Sequence, residues 1–423
     1  MADFLMKSNS AKQQRIRGNG MAGMLRSLRN DTSFSASVAG VIATLISFAG
    51  PLVIVFHAAE GLSHELLASW VWTISTGSGI FGILLSLRYR VPVVIAWSAP
   101  GSALLITLLP SVDFAAATGA SLVASLGIVV IGITGSFDRF VSKLPPGISA
   151  AMLSAILFGF VSHMILALPT HPSMAGMMFV ALFVGRRWFP RYVVVGVLVV
   201  GVMIALGEGE ITGSVHSVAL TLPTWTTPHF EWQAITNIAV PLAVVSLTGQ
   251  WLPGMAVLRT NGYQRPNASP LIAWVAAGSA FLAPFGCHGL NLAAITAAIC
   301  AGEGAHVDRS RRYVAGVVGG VLYLVLGAFA ATVLSFFAML PEELIATLAG
   351  LALFPTIAGA LAASMSDPLD RDAALVTFIV SASGMSLFGL GAAFWSLVFG
   401  LATHGLVRWK SGDGHSVILN ERR

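Results

Sequence analysis

The chain has 423 residues, 56% of them hydrophobic and only 10% charged, against roughly 25% charged in a soluble domain. That balance excludes a soluble globular protein and identifies a polytopic membrane protein. The formal net charge of +5 does not imply a nucleic-acid partner, which would need basic residues gathered on one water-facing surface; here they sit in short loops.

Residues 1–33 carry Lys7, Lys12, Arg15, Arg17, Arg26 and Arg29 and read as a basic cytoplasmic arm. The arm has no apolar core, so no cleavable signal peptide is expected and the first span serves as its own targeting signal. Apolar segments then follow at about 35–56, 66–87, 91–110, 116–137, 146–167, 173–185, 190–207, 234–258, 269–284, 285–302, 313–338, 343–364, 373–387 and 390–407. The fold expected is all-α, with fourteen transmembrane segments. With the N-terminus inside, every one of the 23 Lys and Arg residues falls in a cytoplasmic segment, from Arg88 and Arg90 to Arg422 and Arg423. The outer loops hold no Lys or Arg, although they contain acids such as Glu60, Asp113, Glu208 and Glu343. Short basic loops stay cytoplasmic, so adding or losing a span would misplace several clusters, and both termini are expected inside.

Three spans depart from an ordinary crossing. Span 6 is short for a bilayer core that needs about 20 residues. Span 3 begins with the extended run Val91-Pro92-Val93-Val94-Ile95-Ala96-Trp97, then Ser98-Ala99-Pro100-Gly101-Ser102 opens an apolar half-helix. Span 10 has the same design. It begins Pro284-Phe285-Gly286-Cys287-His288-Gly289-Leu290, where Gly and Pro oppose a helix, and turns helix-compatible at Asn291. Seven spans separate the two. Ser47-Phe48-Ala49-Gly50-Pro51 in span 1 likewise aligns by its proline with Gln250-Trp251-Leu252-Pro253 in span 8. Because seven is odd, the second copy enters from the opposite side, giving a 7+7 inverted repeat.

Broken helices at membrane depth must line a protein-enclosed cavity, since no water satisfies their backbone groups. Each half-helix N-terminus carries roughly half a positive charge. Two such ends facing each other make an anion site with no Arg or Lys. The expected donors are the N–H groups near Gly101 and Ser102, with Ser98 as cap, and those near Gly289 and Leu290, with Asn291 as N-cap. His288 is the one ionisable group placed near the midplane, and an imidazole titrates within reach of physiological pH; it is the candidate for proton coupling, set against a neutral histidine that only bonds across helices. Gln250 is an uncharged polar group at the same level, and Trp251, Trp97, Phe48 and Phe285 could enclose an aryl ring. Cys287 and Cys300 form no disulfide framework and lack the third and fourth ligands of a metal site. No cofactor is expected, nor an enzyme, because no nucleophile-base pair is visible.

The run PFGCHGLNLAAITAAIC, with Arg311-Arg312-Tyr313-Val314-Ala315-Gly316, Leu348-Ala349-Gly350-Leu351-Ala352-Leu353 and Gly391-Ala392-Ala393-Phe394-Trp395, resembles the benzoate:proton symporter (BenE) family over essentially residues 35–408. The resemblance implies a bacterial inner-membrane symporter for benzoate or a close aromatic carboxylate. The wider fold group, shared with nucleobase and sulfate/bicarbonate transporters, implies a core of spans 1–4 and 8–11, a gate of spans 5–7 and 12–14, and a homodimer. On this chain that gives the arm at 1–33, core at 34–143 and 234–339, gate at 144–207 and 340–408, an outer loop at 208–233 and a tail at 409–423. Nucleobase transporters of this fold carry a Tyr-Gly-Glu-Asn-like run where this chain has His288-Gly289-Leu290-Asn291, and a glutamate where Gln250 aligns. Losing both carboxylates removes charge that would repel a carboxylate substrate. Another organic or inorganic anion, or a passive anion channel, are the competing readings.

Overall fold

The computed structural model describes residues 27–59, 61–110, 112–139, 145–189, 193–211, 218–387 and 390–420. The basic arm as far as residue 26, and the segments holding Lys143, Arg191, Arg422 and Arg423, lie outside the described residues.

Helix α1 (Phe34–Ala58) starts where Ser33 Oγ accepts the Ala36 N–H, and it carries Pro51 internally. Helix α2 (His64–Tyr89) is capped in the same way by Ser63. Strand β1 (Ile95–Trp97) leads into α3 (Ala99–Leu108), then α4 (Phe114–Thr134), α5 (Pro146–Leu166), α6 (Pro172–Trp188) and α7 (Val193–Glu208). Helix α8 (Trp232–Arg259) is interrupted by π-turns at Ile235–Ala239 and Leu247–Trp251. Next come α9 (Ala268–Leu282), strand β2 (Leu290–Leu292) and α10 (Ala294–Ala301). The chain closes with α11 (Tyr313–Ala328), α12 (Ala330–Phe337), α13 (Glu342–Ser364), α14 (Arg371–Ala382), a β3–β4 hairpin (Ser386–Leu387, Leu390–Gly391) and α15 (Ala392–Asn420). Six helices among the described residues are long and apolar enough to cross a membrane.

Several boundaries differ from the sequence reading. Asn291 is not an N-cap: it lies inside β2, and α10 starts at Ala294 after Ala293, with no side-chain cap. Backbone pairing with β1 holds residues 290–292 extended, outweighing the preference of Asn for a cap. The stretch read as one span from 313 to 338 is two helices meeting at Phe329, two residues after Gly327. Span 13 stops at Ala382, because Ser386 and Leu387 turn back to pair with Gly391 and Leu390. Helix α6 runs 17 residues, longer than the short span read for it.

Helix packing falls into two groups. In one, α2 packs along α11, α4 along α9, α1 along α11 and α3, and α4 against the first π-turn of α8. In the other, α5 packs along α13 and α14, α14 along α15, and α6 along α7. Lipid offers apolar helices as good a solvent as each other, so close backbone approach does much of the holding. At Gly79 an added Cβ would stand 2.7 Å from the Gly320 carbonyl, and at Gly40 it would run into the Ala315 carbonyl.

Strands β1 and β2 pair antiparallel in the register Ile95↔Leu292, Ala96↔Asn291, Trp97↔Leu290. Ser98 N–H to the Gly289 carbonyl (3.1 Å) and Ala293 N–H to the Val94 carbonyl (2.9 Å) extend the ladder at both ends. Two short strands from distant parts of the chain satisfy each other's backbone groups and deliver α3 and α10 from one joint.

Candidate functional site

Ser98 organises the α3 side of this joint. It is fully buried, its Oγ accepts the Gly101 N–H at 3.0 Å, and its carbonyl accepts from Ser102 Oγ at 3.1 Å. Gly101 lets α3 approach α8: a Cβ there would lie 2.6 Å from Leu242 Cδ1.

His288 reaches this cap from the other half of the chain. The preceding turn needs Gly286 at φ +105° and the following one Gly289 at φ +135°, conformations that favour glycine. Ser69 and Thr73 of α2 both donate to the Phe285 carbonyl at 2.9 Å, pinning the turn. The imidazole is 2% exposed. Its Nε2 lies 2.9 Å from Ser102 Oγ and 3.1 Å from the Ser98 carbonyl, and its Nδ1 accepts the Trp70 indole N–H at 2.9 Å.

The structure therefore gathers Ser98, Gly101, Ser102, His288, Gly289, Leu290 and Asn291 around one strand pair. The Leu290 N–H is not a free donor, since it bonds Ser279 Oγ at 3.0 Å. Counting outward from the central pair Ala96–Asn291, Ser98 and Ala293 hold the same place, each directly before its helix. Ser98 caps α3 through its side chain, whereas Ala293, the residue before α10, makes no side-chain cap bond. Asn291 is 2% exposed, and its Nδ2 has no hydrogen-bond partner among the described residues. It lines a narrow crevice with Ser125, Ser246, Ser279, His288 and Leu290, which no Asp, Glu, Lys or Arg lines among the described residues.

Gln250 and Trp251 lie in the second π-turn of α8. That turn packs against β2, but neither residue lines the crevice, and Trp251 is fully buried. The aromatic enclosure is not one cage. Phe48 meets Trp97 edge-on at 5.6 Å and Tyr323 joins them, whereas Phe285 packs on Trp225 instead. Sequence reasoning missed Trp70 and Ser279. The signal available for α2 was its run of small polar residues at helical spacing, Ser69 and Thr73 among them.

The fold has clear relatives among solved structures. The transmembrane domain of a cyanobacterial bicarbonate transporter superposes with a TM-score of 0.58 at 15% identity, covering 88% of this chain and 98% of that one. The murine Solute Carrier 26 family member A9 anion transporter, in its inward-facing state, gives 0.57 at 13% identity, covering 93% and 73%. This is a multi-pass membrane protein with a transporter fold. The family model described as benzoate membrane transport protein matches residues 30–406. A benzoate membrane transport protein of Acinetobacter baylyi is 41% identical over 386 residues, 91% of this chain and 98% of its own. Inner membrane protein YdcO of Escherichia coli is 36% identical over 365 residues, 86% and 93% of the two chains. The chain belongs to the benzoate membrane transport protein family, a family of transporters and not of enzymes.

Proposed function

We propose that this protein is a secondary transporter that imports benzoate, or a closely related aromatic carboxylate, together with protons across the bacterial inner membrane. The observation that carries this reading is the strand-paired joint of α3 and α10, with His288 and the Asn291 Nδ2, which has no partner among the described residues, beside a helix N-terminus that its N-cap side chain leaves uncapped. A carboxylate there would meet the positive end of the α10 dipole and the Asn291 donors with no acidic side chain to repel it. Phe48 and Trp97 offer aromatic surface near the same strands. His288 carries the coupled proton.

The reading includes fourteen spans as a 7+7 inverted repeat, both termini in the cytoplasm and the homodimer that the fold group implies. The packing supports the repeat. Exchanging each span for the one seven places on turns the α2–α11 contact into α9–α4, α6–α7 into α14–α15 and α1–α11 into α8–α4, and it returns α5–α13 to itself. An in-plane two-fold axis also requires equivalent strands to run antiparallel, as β1 and β2 do. Spans 1–4 and 8–11 then form the core that carries the site, and spans 5–7 and 12–14 the gate it moves against.

Proteoliposomes are expected to accumulate labelled benzoate under an inward proton gradient, and His288→Ala to lose that accumulation. Uptake indifferent to collapse of the gradient overturns proton coupling. Flux that never exceeds electrochemical equilibrium would assign a passive anion channel instead, and competition by unlabelled acids ranks the substrates.

A further inference from the structure

Trp70 sits in the second turn of α2, fully buried, with its ring tilted against Phe114 at 5.8 Å and edge-on to His288 at 5.4 Å between ring centroids. An indole nitrogen only donates. Its 2.9 Å bond to His288 Nδ1 therefore requires a lone pair on Nδ1, and the ring proton must be on Nε2. The other side of the ring agrees, because the Ser98 carbonyl at 3.1 Å is an acceptor only and needs a hydrogen from Nε2. Ser102 Oγ at 2.9 Å completes the surroundings, with its own hydrogen directed to the Ser98 carbonyl. Both ring nitrogens are thus committed.

A second proton has one place to go, Nδ1, and an N–H already points at it. Two hydrogens facing each other across 2.9 Å repel, so His288 cannot become imidazolium while Trp70 keeps this position. We propose that Trp70 is the positioning residue for proton coupling: it holds His288 as the neutral Nε2–H tautomer, and proton uptake at Nδ1 requires the Trp70 indole to withdraw. The proposal rests on the reading of His288 as the coupling group and adds the condition under which that group loads.

The groups around the ring leave Trp70 as the controlling partner. Helix α2 presents Trp70, the β1–α3 junction presents Ser98 and Ser102, and the crevice beside the ring presents Ser125 of α4, Ser246 of α8 and Ser279 of α9. None of these titrates or carries charge. The titratable neighbour is the Cys287 thiol, one residue along the same turn and 1% exposed. Trp70 stands on α2 and His288 on the turn before β2, so withdrawal means a displacement of α2 relative to the strand joint, or rotation of the indole out of its packed place.

The test begins on unmodified protein in lipid bilayers. With ¹⁵N-labelled histidine, the His288 nitrogens should report a bare Nδ1 and a protonated Nε2 near neutral pH; a proton found on Nδ1 overturns the proposal without any variant. Trp70→Phe keeps an aromatic ring and removes the donor. It should let the tautomers redistribute and should raise the pH midpoint of proton-driven benzoate uptake by about one unit, the worth of one net hydrogen bond converted at one unit per 1.36 kcal/mol. A variant with the wild-type tautomer and wild-type midpoint overturns the role of Trp70. His288→Gln separates the two levels. If it keeps gradient-driven accumulation with an unchanged midpoint, the coupling reading of His288 fails, whereas a Trp70→Phe null result beside an inactive His288→Gln fails Trp70 alone.

Discussion

Asn291 shows how a single side chain distinguishes a packing residue from a binding one. Its Nδ2 is buried and has no partner among the described residues, and leaving such a group without a partner costs about 1–3 kcal/mol. Asn291→Leu removes that cost at similar volume. The variant should melt higher in detergent, by about 1 kcal/mol of added stability, and should lose benzoate uptake. A protein that gained stability and kept its uptake would make the amide a structural accident. His288 and Asn291 were legible in the sequence because each is a polar group inside an apolar run broken by glycines. Trp70 was not, because a tryptophan within a membrane helix reads as packing until its nitrogen is placed 2.9 Å from an imidazole.

At the level of the element, α10 is held at its end as well as at its beginning. The C-terminus of α10 presents the Ala301 carbonyl to Arg312, whose Nη1 donates at 2.6 Å while Nε donates to the His306 carbonyl at 2.6 Å. Arg312 is 6% exposed, and its guanidinium faces the negative end of the helix dipole. Arg312→Gln keeps an amide donor and removes the charge. It should cost about 2 kcal/mol, read as a lower midpoint in thermal unfolding with benzoate absent; an unchanged midpoint would show that water replaces the side chain. The extended stretches before α3 and α10 are marked by Pro92, Gly286 and Gly289, residues visible along the chain. The pairing of those stretches is not, since each strand is three residues long and its partner lies about 200 positions away. The same distance explains the misplaced start of α10. An asparagine before an apolar run is a good cap by local rules, and the ladder that overrides them is non-local.

For the whole molecule, the proposed motion of core against gate predicts which tethers stop transport. A Cβ at Gly249 of α8 would lie 3.3 Å from the Leu153 side chain of α5, and one at Gly147 of α5 would lie 3.8 Å from Ala374 Cβ of α14. A cross-link between Gly249→Cys and Leu153→Cys joins the two groups of helices and should halt uptake until it is reduced, whereas Gly147→Cys with Ala374→Cys stays within one group and should leave uptake intact. Equal effects of the two tethers would argue against a division along that line. That the chain is a multi-pass membrane protein could be read from its composition, but which helices touch could not, because apolar faces in a bilayer carry little address. The β1–β2 joint also bears on how the protein is made. Residues 95–97 enter the membrane about 200 residues ahead of their partners, a wait of about 10–40 s at ordinary rates of synthesis. Throughout that wait the backbone of β1 has no ladder, and bare peptide groups are not stable in hydrocarbon. The nascent first half must therefore be sheltered, by the insertion machinery or by its own helices, until the second half emerges, so that the last part of the fold to become possible is the part that holds the site.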